Sequence, residues 1–196
     1  MQQINIDPDI KALIFDCDGT LVDSMPIHMN AWRQAFEHFG ARFDEEFIFS
    51  MRGMKETEIV ERYNKAHGTR LDGNELVDVK HALFLKHLDS VKPIESVVDI
   101  ARMYHGRLPL AVVSGGVEKV VHAELKAIGI FDLFDIILTA DDPYRPKPDP
   151  EIFLAAAKKM STDPGLCIVF EDGDAGLAGA KSAGMRSIDI RDFNLR

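Results

Sequence analysis

Short unbroken apolar runs alternate with stretches of helical period from residue 92 onward. "IESVVDIARMYHG" reads as a helix ending near Gly106, and "LPLAVVSGG" as a strand stopped by Ser114 and two glycines. "VEKVVHAELKAIG" is helical and ends at Gly129, "FDIILTADD" is a strand stopped by acids, and "PEIFLAAAKKM" is a helix opening after Pro150. "LCIVFEDGDAG" is a further strand, "AGLAGAKSAG" a small-residue helix and "RSIDI" a last strand. Near the start, "KALIF" adds one more apolar run. Unbroken apolar strands between helices are buried on both faces, which is the mark of a parallel sheet. The pattern predicts an α/β domain, a doubly wound parallel sheet of about five strands.

Residues 21–91 do not alternate. Pro26 stands where a helix opens, with Asp23 or Ser24 as its cap. Met29, Trp32, Phe36 and Phe39 share one helical face, Gly40 can end that helix, and Leu76, Val79 and Leu83 repeat the period. The expectation is an α-helical insert at 21–91 within a core of 1–20 and 92–196, hinged at about Thr20–Ser24 and Ser90–Pro93. There is no internal repeat and no low-complexity tract.

Charge narrows the function. The net charge of −9, from 32 acidic and 23 basic residues, lacks the basic footprint that nucleic-acid binding requires. An anionic substrate would need positive charge concentrated locally. No apolar window approaches a membrane span. The first residues, "MQQINIDPDIK", have neither a basic region nor an apolar run, so no signal peptide is expected and the location is read as cytoplasmic. Cys17 and Cys167 make no disulfide framework and read as small buried hydrophobes in a reducing compartment. Nothing demands more than a monomer.

In open α/β sheets ligands bind at the carboxyl ends of the strands. The groups expected there are Asp16 and Asp18, then Ser114, Gly115 and Gly116, then Lys147 in "ADDPYRPKPDP", then Glu171, Asp172 and Asp174. A lone strand-end Asp is more often a cap or turn residue, and Asp141, Asp142 and Asp174 taken singly fit that description. Collection at one end of successive strands is what favours chemistry. Clustered carboxylates raise one another's pKa, and a hard cation resolves the conflict. Mg²⁺ takes a few carboxylates plus substrate phosphate. Asp16 can then attack phosphorus while Asp18 moves the proton. Gly19 permits the chain to turn sharply after them, and Lys147 and Ser114 face the charge of the transferring group.

In that order, "DCDGT", "VVSGG", "RPKPDP" and "FEDGDAG" resemble the four motifs of the haloacid dehalogenase superfamily, and the helical insert sits where that superfamily places its cap. The resemblance implies Asp16 as the nucleophile of an aspartyl-phosphate and Asp18 as general acid/base. It implies Mg²⁺ held by Asp16, the Asp18 backbone carbonyl, and Glu171 or Asp172, with Ser114 and Lys147 on the phosphoryl group. "VDSMPIHMNAWRQAFEHFG" followed by "MRGM" is similar to the β-phosphoglucomutase-like group, and within it to sugar phosphatases of the fructose-1-phosphatase type.

The same resemblance offers His28 and Arg52 as substrate-binding residues of the insert, beside Gly115 and Gly116. Lys80 and Lys55 are weaker candidates, since exposed lysines are the norm. It also implies a small phosphorylated metabolite as partner. The mutases of the group carry an Arg and a Lys where this chain has Glu56 and Val117. A carboxylate repels a second phosphate and valine cannot bind one, so hydrolysis is favoured over a sugar phosphomutase. A non-catalytic phosphometabolite-binding protein is disfavoured because every motif acid and the lysine are intact.

Overall fold

The structure is a computed structural model that describes residues 6–51 and 54–193. In chain order the principal elements are β1 (Ala12–Phe15), α1 (Met25–His38), α2 (Glu45–Ser50), α3 (Glu56–His67) and α4 (Gly73–Leu85). They continue with α5 (Glu95–Tyr104), β2 (Leu110–Val113), α6 (Glu118–Ala127), β3 (Ile136–Leu138), α7 (Glu151–Lys159), β4 (Cys167–Glu171), α8 (Asp174–Ser182) and β5 (Arg186–Asp189).

The five strands form one parallel sheet in the order β3-β2-β1-β4-β5. The chain winds outward from β1 to β3, then crosses back to the other side of β1. The order therefore reverses between β1 and β4, where an α/β sheet opens its ligand crevice. Alternate strand residues face opposite layers. Leu13, Phe15, Val112 and Phe170 join a core with Val97 and Ala101 of α5 and Val121 and Leu125 of α6. Ile14, Val113 and Val169 join a second core with Phe153 of α7 and Ala180 of α8. The expected doubly wound sheet covered on both faces is what forms.

The insert is helical, α1 to α4, and builds a third core around Trp32, Phe36, Ile59, Tyr63 and Leu76. Asp44 and Asp72 cap α2 and α4 with their carboxylates, as helix N-termini favour. Ser24 does occupy the cap position of α1, but its side chain makes no capping hydrogen bond. The two connections of the insert lie side by side: Asp23 N–H donates to Lys92 O at 2.8 Å and Ile94 N–H to Leu21 O at 2.9 Å. Ala31 and Phe84 of the insert pack into the first sheet-face core. Both cysteines are free and buried. Among the described residues no helix is long and apolar enough to cross a membrane.

Candidate active site

The ladder of β1 runs on to Asp16, whose N–H donates to Phe170 O at 3.0 Å. The carboxylate of Asp16 therefore leaves the sheet beside that of Glu171 at the end of β4. Between the two reaches Lys147, from the loop after β3, with Nζ 2.7 Å from Asp16 Oδ1 and 2.8 Å from Glu171 Oε2. Asp172 closes the group: ligand oxygens of Asp16, Glu171 and Asp172 lie within 4.8 Å of one another. Burial, then the charge of Glu171, push the Asp16 carboxyl well above its usual value. Burial opposes the charge on Lys147, but Asp16 and Glu171 outweigh it and raise its pKa.

Glycines make the space for this packing. Gly19, at φ +81°, is in the left-handed region, and a Cβ there would stand 2.3 Å from Asp172 Oδ2. A Cβ on Gly176 of α8 would stand 1.9 Å from Glu171 Oε2. The glycine at position 176 of α8 is thus a requirement of the acid it covers.

Asp18 lies one turn of the loop away and belongs to a different network. Ser24 Oγ donates to its Oδ1 at 2.6 Å, and His28 Nε2 stands 2.8 Å from the same oxygen. Burial alone would raise the Asp18 carboxyl, but His28 and Ser24 hold it well below the usual range. Lys80 Nζ is 2.9 Å from His28 Nδ1. An ammonium only donates, so Nδ1 accepts and Nε2–H points at Asp18. The imidazole is stacked on Phe84 at 4.1 Å. Lys80 is 1 % exposed, and its ammonium also bonds Glu56 Oε1 at 2.5 Å. Glu56 bonds His81 through its other oxygen.

The structure brings Asp16, Asp18, Gly115, Gly116, Lys147, Glu171, Asp172, His28 and Lys80 to one cleft of about 390 Å³, within the usual range for small-molecule sites. Ser114 is buried just beneath, its Oγ accepting from Gly116 N–H at 3.0 Å. Tertiary contacts alter the sequence reading at three points: His28 is engaged by Asp18, Lys80 is paired with Glu56, and Ser24 serves Asp18 rather than the helix. Asp174, at the cleft's edge, accepts from Arg191 at 2.7 Å. Asp141 and Asp142 accept backbone N–H groups of Glu118 and Thr139, as turn and cap acids do. Arg52 lies outside the described residues.

Glu124 was not foreseen. It is fully buried on α6, with Oε1 3.5 Å from His28 Nε2. Burial and then the Asp18 charge push its carboxyl up to about 8. Its signal was a carboxylate standing within the apolar stripe of Val120, Val121 and Leu125. Glu56 and His81 carried no local signal of their contact.

Fit to a metal can be judged from the donors. Three carboxylates lie together, and the two buried ones, Asp16 and Glu171, are bonded to a single ammonium, leaving negative charge in a site that disfavours it. An all-oxygen set of this kind suits a hard divalent cation such as Mg²⁺.

An aspartate at the tip of the central strand, backed by a lysine and paired acids at the switch point, defines a hydrolase built on a doubly wound sheet. The haloacid dehalogenase-like hydrolase family matches residues 10–184, and the chain belongs to that family, whose members include phosphatases. It is 36% identical over 180 residues to fructose-1-phosphate phosphatase YqaB of Escherichia coli (strain K12), covering 91% of this chain and 95% of that protein. It is 32% identical over 179 residues to 6-phosphogluconate phosphatase of the same organism, covering 90% and 80%. Among solved structures, β-phosphoglucomutase from Clostridium difficile superposes with a TM-score of 0.78 at 27% identity, covering 91% of this chain and 83% of that one.

Proposed function

We propose that the protein is a Mg²⁺-dependent phosphatase of small sugar phosphates, with fructose 1-phosphate-like esters as the first substrates to test. The observation that carries this reading is the Asp16 carboxylate set against Lys147 and Glu171, with Asp18 held ionised beside it. Asp16 attacks phosphorus and the P–O bond to the sugar breaks. Asp18, ionised in the free site, takes up the proton of the substrate's phosphate monoanion and gives it to the leaving oxygen. Ionised Asp18 then takes a proton from water, whose oxygen attacks the phosphorus of the aspartyl-phosphate and frees phosphate and Asp16. Lys147 keeps positive charge against the nucleophile and the phosphoryl oxygens throughout. Ser114 and the backbone of Gly115 and Gly116 flank the phosphoryl position.

Asp16, the Asp18 carbonyl, Glu171 and Asp172 would hold Mg²⁺, which supplies charge neutralisation and orients the phosphate when bound. Residues 21–91 serve as a cap over a core of 1–20 and 92–196, flexing at the two paired connections so that water is admitted only between half-reactions. Glu56 and Val117, standing in the cleft, weigh against a phosphomutase, which must also hold a second phosphate. The test is phosphate release from a panel of phosphate esters with and without Mg²⁺. No Mg²⁺-dependent release from any ester sinks the reading. Formation of glucose 6-phosphate from β-glucose 1-phosphate plus a bisphosphate primer, without net phosphate, would replace it with the mutase.

A further inference from the structure

The helical wall of the cleft faces whatever the phosphate is attached to. Much of it is apolar: Met25, Met29, Trp32, Ile48, Met54 and Ile59. Apart from Ser50, its polar part is one connected group, in which Glu56 binds Lys80 through one oxygen and His81 through the other. Lys80 cannot turn outward. Its ammonium lies 5.6 Å from the Trp32 ring centroid and 5.7 Å from that of Phe84, and its remaining polar contact is His28. The side chain of Glu56, by contrast, is 24 % exposed, against 2 % for that of Lys80. A molecule entering the cleft therefore meets the carboxylate, while the balancing ammonium is behind it. Among the described residues lining this wall, each basic side chain is already engaged: His28 by Asp18, and Lys80 and His81 by Glu56.

We propose that Glu56, fixed by Lys80 and His81, is a specificity determinant that restricts the site to phosphate monoesters of uncharged polyols and rejects esters carrying a second anion, whether phosphate or carboxylate. This rests on the phosphatase reading above. A carboxylate accepts hydrogen bonds and donates none, so it pairs with sugar hydroxyls. It repels a carboxylate or phosphate brought to the same place, and discrimination by repulsion is as effective as discrimination by attraction. The apolar residues around it suit the C–H faces of a sugar and give a second anion no compensating contact.

The experiment uses the full chain with Mg²⁺ and pairs of esters differing at the far end. Sorbitol 6-phosphate is compared with 6-phosphogluconate, and fructose 1-phosphate with fructose 1,6-bisphosphate. p-Nitrophenyl phosphate is measured alongside. The wild type is expected to favour the neutral member of each pair by tenfold or more in kcat/KM, and Glu56→Gln to reduce that ratio at least fivefold. Ratios taken within one preparation cancel its active fraction. Glu56→Gln combined with Lys80→Gln leaves neither charge buried alone, and it is expected to lose the preference in the same way. Equal use of charged and neutral members by the wild type, or a ratio unchanged in both variants, overturns the proposal. No release from any ester, p-nitrophenyl phosphate included, instead overturns the phosphatase reading and this inference with it.

Discussion

Gly176→Ala adds one methyl group to a helix and is expected to disable the site. The new Cβ would lie 1.9 Å from Glu171 Oε2, 2.2 Å from Cδ and 2.6 Å from Cγ. To regain ordinary contact the carboxylate must retreat by about 1.5 Å. It has little room to do so: Oε1 accepts from Gly173 N–H at 3.0 Å and Oε2 holds Lys147 at 2.8 Å. Retreat therefore breaks the bond that sets Lys147 against Asp16. Misplacing a catalytic group by about 1 Å can cost roughly 10²-fold, so kcat/KM for p-nitrophenyl phosphate should fall by that order and the Mg²⁺ concentration for half-maximal rate should rise. Intrinsic helix preference works the other way, since alanine in a helix interior is favoured over glycine by about 1 kcal/mol. Ala178→Gly, on the exposed side of the same helix, should show the opposite pattern, lower Tm with activity kept. Initial rates against Mg²⁺ concentration, with circular dichroism to fix the folded fraction, decide the matter. Wild-type kcat/KM and Mg²⁺ dependence in Gly176→Ala would refute the claim that the glycine exists to seat Glu171.

Asp16→Asn is expected to abolish turnover, because an amide is a poor nucleophile, whereas Asp18→Asn should retain substrate binding and lose roughly 10²–10⁴-fold in rate; equal, small losses in steady-state kinetics would contradict both roles. His28→Ala should slow p-nitrophenyl phosphate and sugar esters alike, by roughly tenfold, the value of a hydrogen bond to a charged group. Asp18 then loses its main restraint, so the acid limb of the pH–rate profile moves to higher pH; an effect confined to sugar esters would return His28 to substrate binding. Glu124 titrates near 8 in the fold against an ordinary 4.5, so between these values the folded state keeps a proton the unfolded chain has released, and stability falls as pH rises. Glu124→Gln removes that penalty: its Tm advantage over wild type should grow from pH 5 to pH 8 in thermal melts, and a pH-independent difference would count against a buried neutral acid.

The residues most legible in the sequence were those whose position depends on local chain direction. Asp16, Ser114 and Glu171 end or follow unbroken apolar runs, so the sheet delivers them to one edge whatever the strand order. The order itself, with β1 between β2 and β4, was not read from the runs, because apolar periodicity carries no information about which strand lies beside which. Side-chain pairing across the fold was equally hidden. Ser24 has the look of a cap, and only tertiary contact turns its hydroxyl to Asp18. Lys80 looks like an exposed lysine until Glu56, 24 residues earlier, meets it. Glu124 was detectable in principle, as a charge inside the buried stripe of α6, but helical period alone gives no reason to single it out from the neighbouring surface acids.

The reversal of strand order between β1 and β4 has a consequence for biosynthesis. Asp16 leaves the ribosome early, yet its partners Lys147 and Glu171 follow 131 and 155 residues later. At ordinary elongation rates of about 5–20 residues per second, that interval lasts on the order of ten seconds. Asp16, the proposed nucleophile, has no lysine beside it for most of that interval and no neighbouring strand on the β4 side for all of it. If the proposed site is the catalytic one, a nascent chain stalled anywhere before β4 releases no phosphate, and the first release marks the arrival of the strand that completes the crevice.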